Sequence, residues 1–152
     1  MEISSRVNHL VVLEILEKHK KYLKDEPGGE KAVLRGANLY SANLIGVNLS
    51  GADLSGVNLK RCVLCDANLE NADLSGAFFK HSVMEGVNLK NTNLQNASLR
   101  GVNLSNANLM GADLTNADLD DACLNGAIYD KSTKWPAGFS LVQKGALLIT
   151  AD

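Results

Sequence analysis

The chain has 152 residues and a formal net charge of −2, which suits a single domain. The charge gives no global attraction to nucleic acid or an anionic membrane surface, and no apolar run approaches the ~20 residues a membrane span needs. Three cysteines without framework spacing read as reduced thiols. With no secretory signal pattern at the start, they point to the cytoplasm.

The first predicted element is a helix over residues 5–24. Val12, Ile15, Leu16, His19, Tyr22 and Leu23 share one face at i, i+3, i+4 spacing. The run Pro27-Gly28-Gly29 ends it.

From Leu34 onward every fifth residue is large and apolar through to Tyr129. Seventeen of these twenty positions are Leu, and the others are Phe79, Met84 and Tyr129. Two residues before each such centre the side chain is small, with thirteen Ala and four Val. One residue before it stand nine Asn and four Asp. Two residues after it, Gly, Asn and Asp dominate. A helix would rotate successive centres by ~140° and smear them around its surface. A plain strand would alternate them between faces. Each unit of five must therefore turn the chain by a fixed angle and bring the same face inward again. Gly, Asn and Asp supply the turn, because they tolerate left-handed backbone angles.

Copies such as Ala37-Asn38-Leu39, Ala52-Asp53-Leu54, Ala72-Asp73-Leu74 and Ala112-Asp113-Leu114 resemble the pentapeptide-repeat family, whose consensus is Ala-(Asp/Asn)-Leu-X-X. The resemblance covers Ala32 to about Lys131. It implies an all-β solenoid, a right-handed quadrilateral β-helix of about five coils with four pentapeptides each. The chain then divides into an N-terminal helical cap (1–30), the β-helix (31–131) and a short C-terminal cap or tail (132–152), all in one structural domain. At strand spacing of ~4.8 Å the repeat rod would be about 24 Å long.

Four repeats per coil place residues twenty apart on one face. Face one is centred on Leu34 and its successors, face two on Leu39, face three on Leu44 and face four on Leu49. Phe79 and Met84 are expected to fill one interior layer. Face one then carries an acidic stripe of Asp53, Asp73 and Asp113, and face two a basic one of Lys60, Lys80 and Arg100 with Arg61 and His81 beside it. Face four has an Asn column (Asn48, Asn68, Asn88, Asn108) suited to amide ladders. On face three Val63 and Val83 replace Asn or Asp, with Ile45 and Cys65 alongside. Phe78 departs similarly on face two. These five are the candidate protein-interaction residues, since an exposed apolar cluster marks a partner site. Ordinary β-propensity on a sheet surface explains the same residues and is the first reading to displace.

Beyond the repeats, Trp135 and Phe139 are expected to cover the last coil, with a short helix near Ser140. The alternative for this tail is an end-to-end dimerisation surface, so the chain is read as a monomer or an end-to-end dimer. No metal, cofactor or catalytic set is expected. Cys62 and Cys65 point to opposite sides in the repeat register, the three histidines lack ligand spacing, and a filled solenoid has no enzyme-like pocket. The reading is a non-enzymatic interaction or scaffold module with an unknown protein partner. The resemblance offers an alternative: some bacterial family members mimic DNA and bind a type II topoisomerase such as gyrase, for which Asp53, Asp73 and Asp113 would form the acidic stripe. Direct nucleic-acid binding through Lys60, Arg61, Lys80 and Arg100 lacks an aromatic platform and is not expected.

Overall fold

The computed structural model describes the backbone of residues 2–150 and the side chains of residues 9–150. Helix α1 spans Glu2–Tyr22, so it begins and ends earlier than the apolar spacing predicts. Its last turn carries His19, Lys20 and Lys21, which complement the negative end of the helix dipole. Val12, Ile15 and Leu16 pack on the solenoid core. Tyr22 and Leu23, expected on the same face, stay partly exposed. The chain reverses directly after them, and the Tyr22 ring lies against His19, with ring centres 5.7 Å apart.

His19 is fully buried and joins the helix to the repeats. Its Nδ1 accepts the N–H of Ala32 at 3.0 Å, and Ala32 is the first inward residue of the repeat series. The proton of the neutral ring therefore sits on Nε2, which is buried without a hydrogen-bond partner. Burial holds the His19 pKa below the ordinary imidazole value, opposed by the Ser50 backbone and aided by repulsion from Lys31. The unfolded chain thus takes up the proton first as pH falls. The cap's contribution is complete above the ordinary imidazole pKa and is lost as pH drops from there through the folded value. Thermal melts between about pH 7.5 and pH 5 should show this loss, and His19→Gln, which keeps an acceptor for Ala32, should flatten the profile.

The repeats fold as parallel bridges between residues twenty apart. On face one the ladder runs Val33, Asp53, Asp73, Asn93, Asp113, and on face two Asn38, Asn58, Phe78, Ser98, Asp118. Face three runs Asn43, Val63, Val83, Asn103, Cys123, and face four Asn48, Asn68, Asn88, Asn108, Ile128. Each strand piece is too short to be more than a bridge, because the chain turns after every centre. In each turn the carbonyl of the centre accepts the N–H three residues on, as in Ala37 N–H to Leu34 at 3.1 Å. The second residue after the centre has positive φ at every repeat from Gly36 to Gly126. These are type II β-turns, which demand that conformation at their third residue. The Gly/Asn/Asp preference at this position thus has a direct cause.

The Leu centres and the small residues before them line the interior, and Phe79 and Met84 are both completely buried at mid-rod. Polar departures inside are satisfied locally: Ser82 Oγ donates to the Leu59 carbonyl at 2.5 Å and Thr92 Oγ1 to that of Leu89 at 2.6 Å.

At the C-terminal end the register slips by one residue. Asp113 pairs with Lys134 rather than with its twentieth successor. The extra residue is taken up in a turn where Asp130 Oδ1 accepts the backbone N–H groups of Ser132 and Thr133. Trp135 then packs against the core, edge-on to Tyr129 (5.5 Å) and stacked on Phe139 (5.4 Å). The helix predicted near Ser140 is absent. Residues 141–144 form a turn instead, closed by the Lys144 N–H on the Leu141 carbonyl, and β2 (Leu147–Leu148) pairs in parallel with β1 (Ile128–Tyr129). The reason is hydrogen bonding. Leu147 and Ile149 donate to the carbonyls of Ala127 and Tyr129, each at 2.7 Å, and a helix would have left those acceptors unpaired.

Candidate interaction surface

The residue before each centre has a specific duty. At every one of the thirteen positions where it is Asn or Asp, its side-chain oxygen accepts the backbone N–H two residues on, from Tyr40 N–H to Asn38 through Asp120 N–H to Asp118. This Asx bond ties the strand piece to its turn. The amide ladders expected on face four are a minor feature by comparison. Asn88 donates to Asn68 at 3.2 Å there, and Asn58 to Asn38 at 3.0 Å on face two.

Seven positions carry another residue, and three of them, Val63, Phe78 and Val83, lie together at mid-rod. Val63 and Val83 are bridge partners on face three, and Phe78 lies on the adjoining face one repeat before Val83. Phe78 is 44% exposed, Val83 38% and Ile45 58%. Val63 and Cys65, expected to be exposed with them, are only half-exposed. The apolar break is therefore centred on Phe78 and Val83, with Ile45 towards the helix end.

Cations adjoin it. Lys60 Nζ lies 5.2 Å from the centre of the Phe78 ring, within cation–π range. Arg100 is near Asp118 (4.0 Å) and Asp120 (3.7 Å). Among the described residues no carboxylate lies within ion-pair distance of Lys60, Arg61 or Lys80.

The acidic stripe is used inside the fold. Asp53 accepts from Ser55 and is ion-paired with Arg35. Asp73 accepts from Ser75 twice. Asp113 accepts from Thr115 and Gln95 and faces Lys134 at 3.7 Å. Burial alone would raise the Asp113 pKa, but hydrogen bonds from Thr115 and Gln95 and the Lys134 charge together pull it down to about 2. These carboxylates are turn-forming groups with local partners, not a free row of anions.

The cysteines stand apart: Cys62 is buried, Cys65 half-exposed and Cys123 exposed. Ser105 lies 3.1 Å from Cys123 Sγ and lowers its pKa. Among the described residues no three His, Cys, Asp or Glu side chains converge, and no helix is long and apolar enough to cross a membrane. A groove of about 480 Å³ runs between α1 and the first turns, lined by Val12, Leu16, Leu39 and Leu44 among others.

The role of the residue before the centre was not foreseen from sequence, although the signal was present: Asn or Asp, both side-chain acceptors, recurs at this one offset in thirteen of twenty repeats. The Phe78–Lys60 pairing depends on which residues stack and is visible only in three dimensions.

The sequence matches the pentapeptide repeats in eight copies, over residues 30–56, 52–91 and 92–128. The chain belongs to the pentapeptide-repeat family, whose members form right-handed β-helices. Among solved structures it is similar to a pentapeptide repeat protein (Rfr23) from the cyanobacterium Cyanothece 51142, at 41% identity and TM-score 0.61 over 61% of this chain and 63% of that one. The chain thus spans less than two thirds of Rfr23. It is also similar to alr5209 from Nostoc Pcc 7120, at 30% identity and TM-score 0.39 over 91% and 95% of the two chains. A third similar structure is a pentapeptide repeat protein of the Arabidopsis thaliana thylakoid lumen, at 28% identity and TM-score 0.38 over 64% and 65%. No curated protein matches the chain.

Proposed function

We propose that this protein is a non-enzymatic, cytoplasmic docking module. Its rigid rod of about five coils, closed by the helical cap (1–30) and the C-terminal segment (132–152), presents the Phe78–Val83 break, with Val63, Cys65 and Ile45, to a protein partner. One observation carries the reading. Every Asn or Asp before a centre makes an Asx bond; of the seven positions without one, three that neighbour each other at mid-rod are apolar, Val63, Phe78 and Val83, whereas Val33, Cys123 and Ile128 lie towards the ends and Ser98 is polar. Local stability is forgone where apolar surface is gained, which is the pattern of a binding site rather than of random drift in a sheet.

The test follows from the same observation. Changing Val63, Phe78 and Val83 together to Asn restores three Asx bonds, so the variant should fold at least as stably as the native chain. In affinity capture from extracts of the native host, read by quantitative mass spectrometry, it should lose the proteins the native rod retains. Unchanged capture rejects this site. The DNA-mimic reading, with a topoisomerase as partner, has less support: it needs free anions, and the carboxylates of Asp53, Asp73 and Asp113 are engaged by neighbouring side chains.

A further inference from the structure

Positive φ at the third turn residue costs little for Gly and is tolerated by Asn and Asp, whereas other side chains crowd the backbone there. On faces one, three and four every positive-φ turn residue between Gly36 and Gly126 is Gly, Asn or Asp. The exceptions are Ser41 (φ 57°), Arg61 (φ 58°) and His81 (φ 61°), and all three stack in one column at the edge of face two. The backbone hydrogen bond at His81, to Arg100, is long at 3.3 Å. Within the repeats strain is thus confined to one edge of the rod, where it keeps an arginine and a histidine.

That edge lies between the two parts of the apolar break. Going round the rod on one coil, the outward side chains are Phe78, Lys80, His81 and Val83. One coil towards the helix they are Asn58, Lys60, Arg61 and Val63. Lys60 and Lys80 stand one coil apart, ~4.8 Å, and neither they nor Arg61 has a carboxylate within ion-pair distance among the described residues. Towards the C-terminal end the same face turns acidic at Asp118, Asp120 and Asp121, and Arg100 is already engaged there. The free positive charge is therefore a short strip, two coils tall, with apolar side chains on both flanks.

We propose that this strip recognises an acidic peptide segment of the partner protein, with carboxylates on Lys60, Arg61 and Lys80 and apolar side chains against Phe78 and Val83. The proposal rests on the docking reading above and adds the chemistry of the partner. A nucleic-acid strand fits less well. Its phosphates would run on into Asp118, Asp120 and Asp121.

The experiment is fluorescence anisotropy with three labelled probes: a peptide of repeated Glu-Leu-Ser, its Gln-Leu-Ser counterpart, and an oligothymidylate of about twelve nucleotides. The acidic peptide should bind most tightly, and its affinity should fall several-fold from low to physiological salt, as for exposed charges. Reversing the strip with Lys60→Glu, Arg61→Glu and Lys80→Glu should weaken it by about tenfold or more, and Lys90→Glu on face four should leave it unchanged. Arg61→Asn with His81→Asn should raise Tm by about 2–4 °C while weakening the acidic peptide, because strain is relieved as the recognising groups are lost. Absence of acidic-peptide binding, tighter binding of the oligothymidylate, or insensitivity to charge reversal overturns the proposal. If the neutral peptide binds as tightly as the acidic one and is lost only with Val63→Asn, Phe78→Asn and Val83→Asn, the acidic partner is rejected and the apolar docking site stands. If either peptide binds equally well to that triple Asn variant, the docking site itself is rejected.

Discussion

Phe79→Ala is expected to lower the unfolding free energy by about 3–5 kcal/mol, measured by chemical denaturation. Phe79 is fully buried at mid-rod, in a column otherwise filled by Leu39, Leu59, Leu99 and Leu119, and Met84 follows it in the next repeat. A stacked rod contacts only its neighbouring layers, so a mid-rod cavity weakens the contacts on both sides of its layer. Collapse around the gap is resisted by the hydrogen-bonded turns, which fix each coil at strand spacing. Leu39→Ala, in the first coil under α1 and slightly exposed, has a neighbouring coil on one side only and should cost less. Phe79→Leu, which restores the residue of the column, should cost no more than about 1.5 kcal/mol. Equal losses for Phe79→Ala and Leu39→Ala would contradict a layered core.

Gly29→Ala is the second large effect. A Cβ at Gly29 would fall inside contact distance of the backbone N and Cα of Tyr22, atoms that no side-chain rotation can move. The helix end and the returning chain must part. That movement pulls on Glu30, whose N–H bonds the Lys18 carbonyl at 3.1 Å, and on Ala32, held by His19. The loss should be about 2–4 kcal/mol, in the upper range for point substitutions. Its signature is selective: amide exchange should accelerate in α1 and the first coil while the middle coils keep their protection. Uniform acceleration along the rod would show that α1 is not an independent cap. Gly28→Ala, at a site open to solvent but with φ 79°, serves as a control for backbone strain without the clash.

The repeat register was legible because one spacing carries the whole core: a large residue every five and a small one two before it leave a single way to turn the chain. The positive-φ turn position was legible from Gly, Asn and Asp for the same reason, although Arg61 and His81 occupy it against their own preference. The ends were harder to read. The one-residue slip after Tyr129 that brings Lys134 beside Asp113 breaks no local rule, so Leu147–Ile149 read as readily as helix as the added strand it is. Tyr22 and Leu23 obey helical spacing yet stay partly exposed, since periodicity reports a face and not how far the neighbouring surface extends. On the outer faces, the apolar departures were visible at Val63, Phe78 and Val83. That they stand together, where thirteen other positions make Asx bonds, and abut unpaired cations depends on which residues the coils stack.

The most direct measurement is site-specific photocrosslinking in the native host, with a benzophenone amino acid placed at Phe78 or, on face four, at Asn108. Docking on the Phe78–Val83 surface requires a discrete protein adduct from position 78 that disappears when Val63 and Val83 are changed to Asn, and none from position 108. The same adducts from both positions, or adducts from position 108 alone, would contradict it.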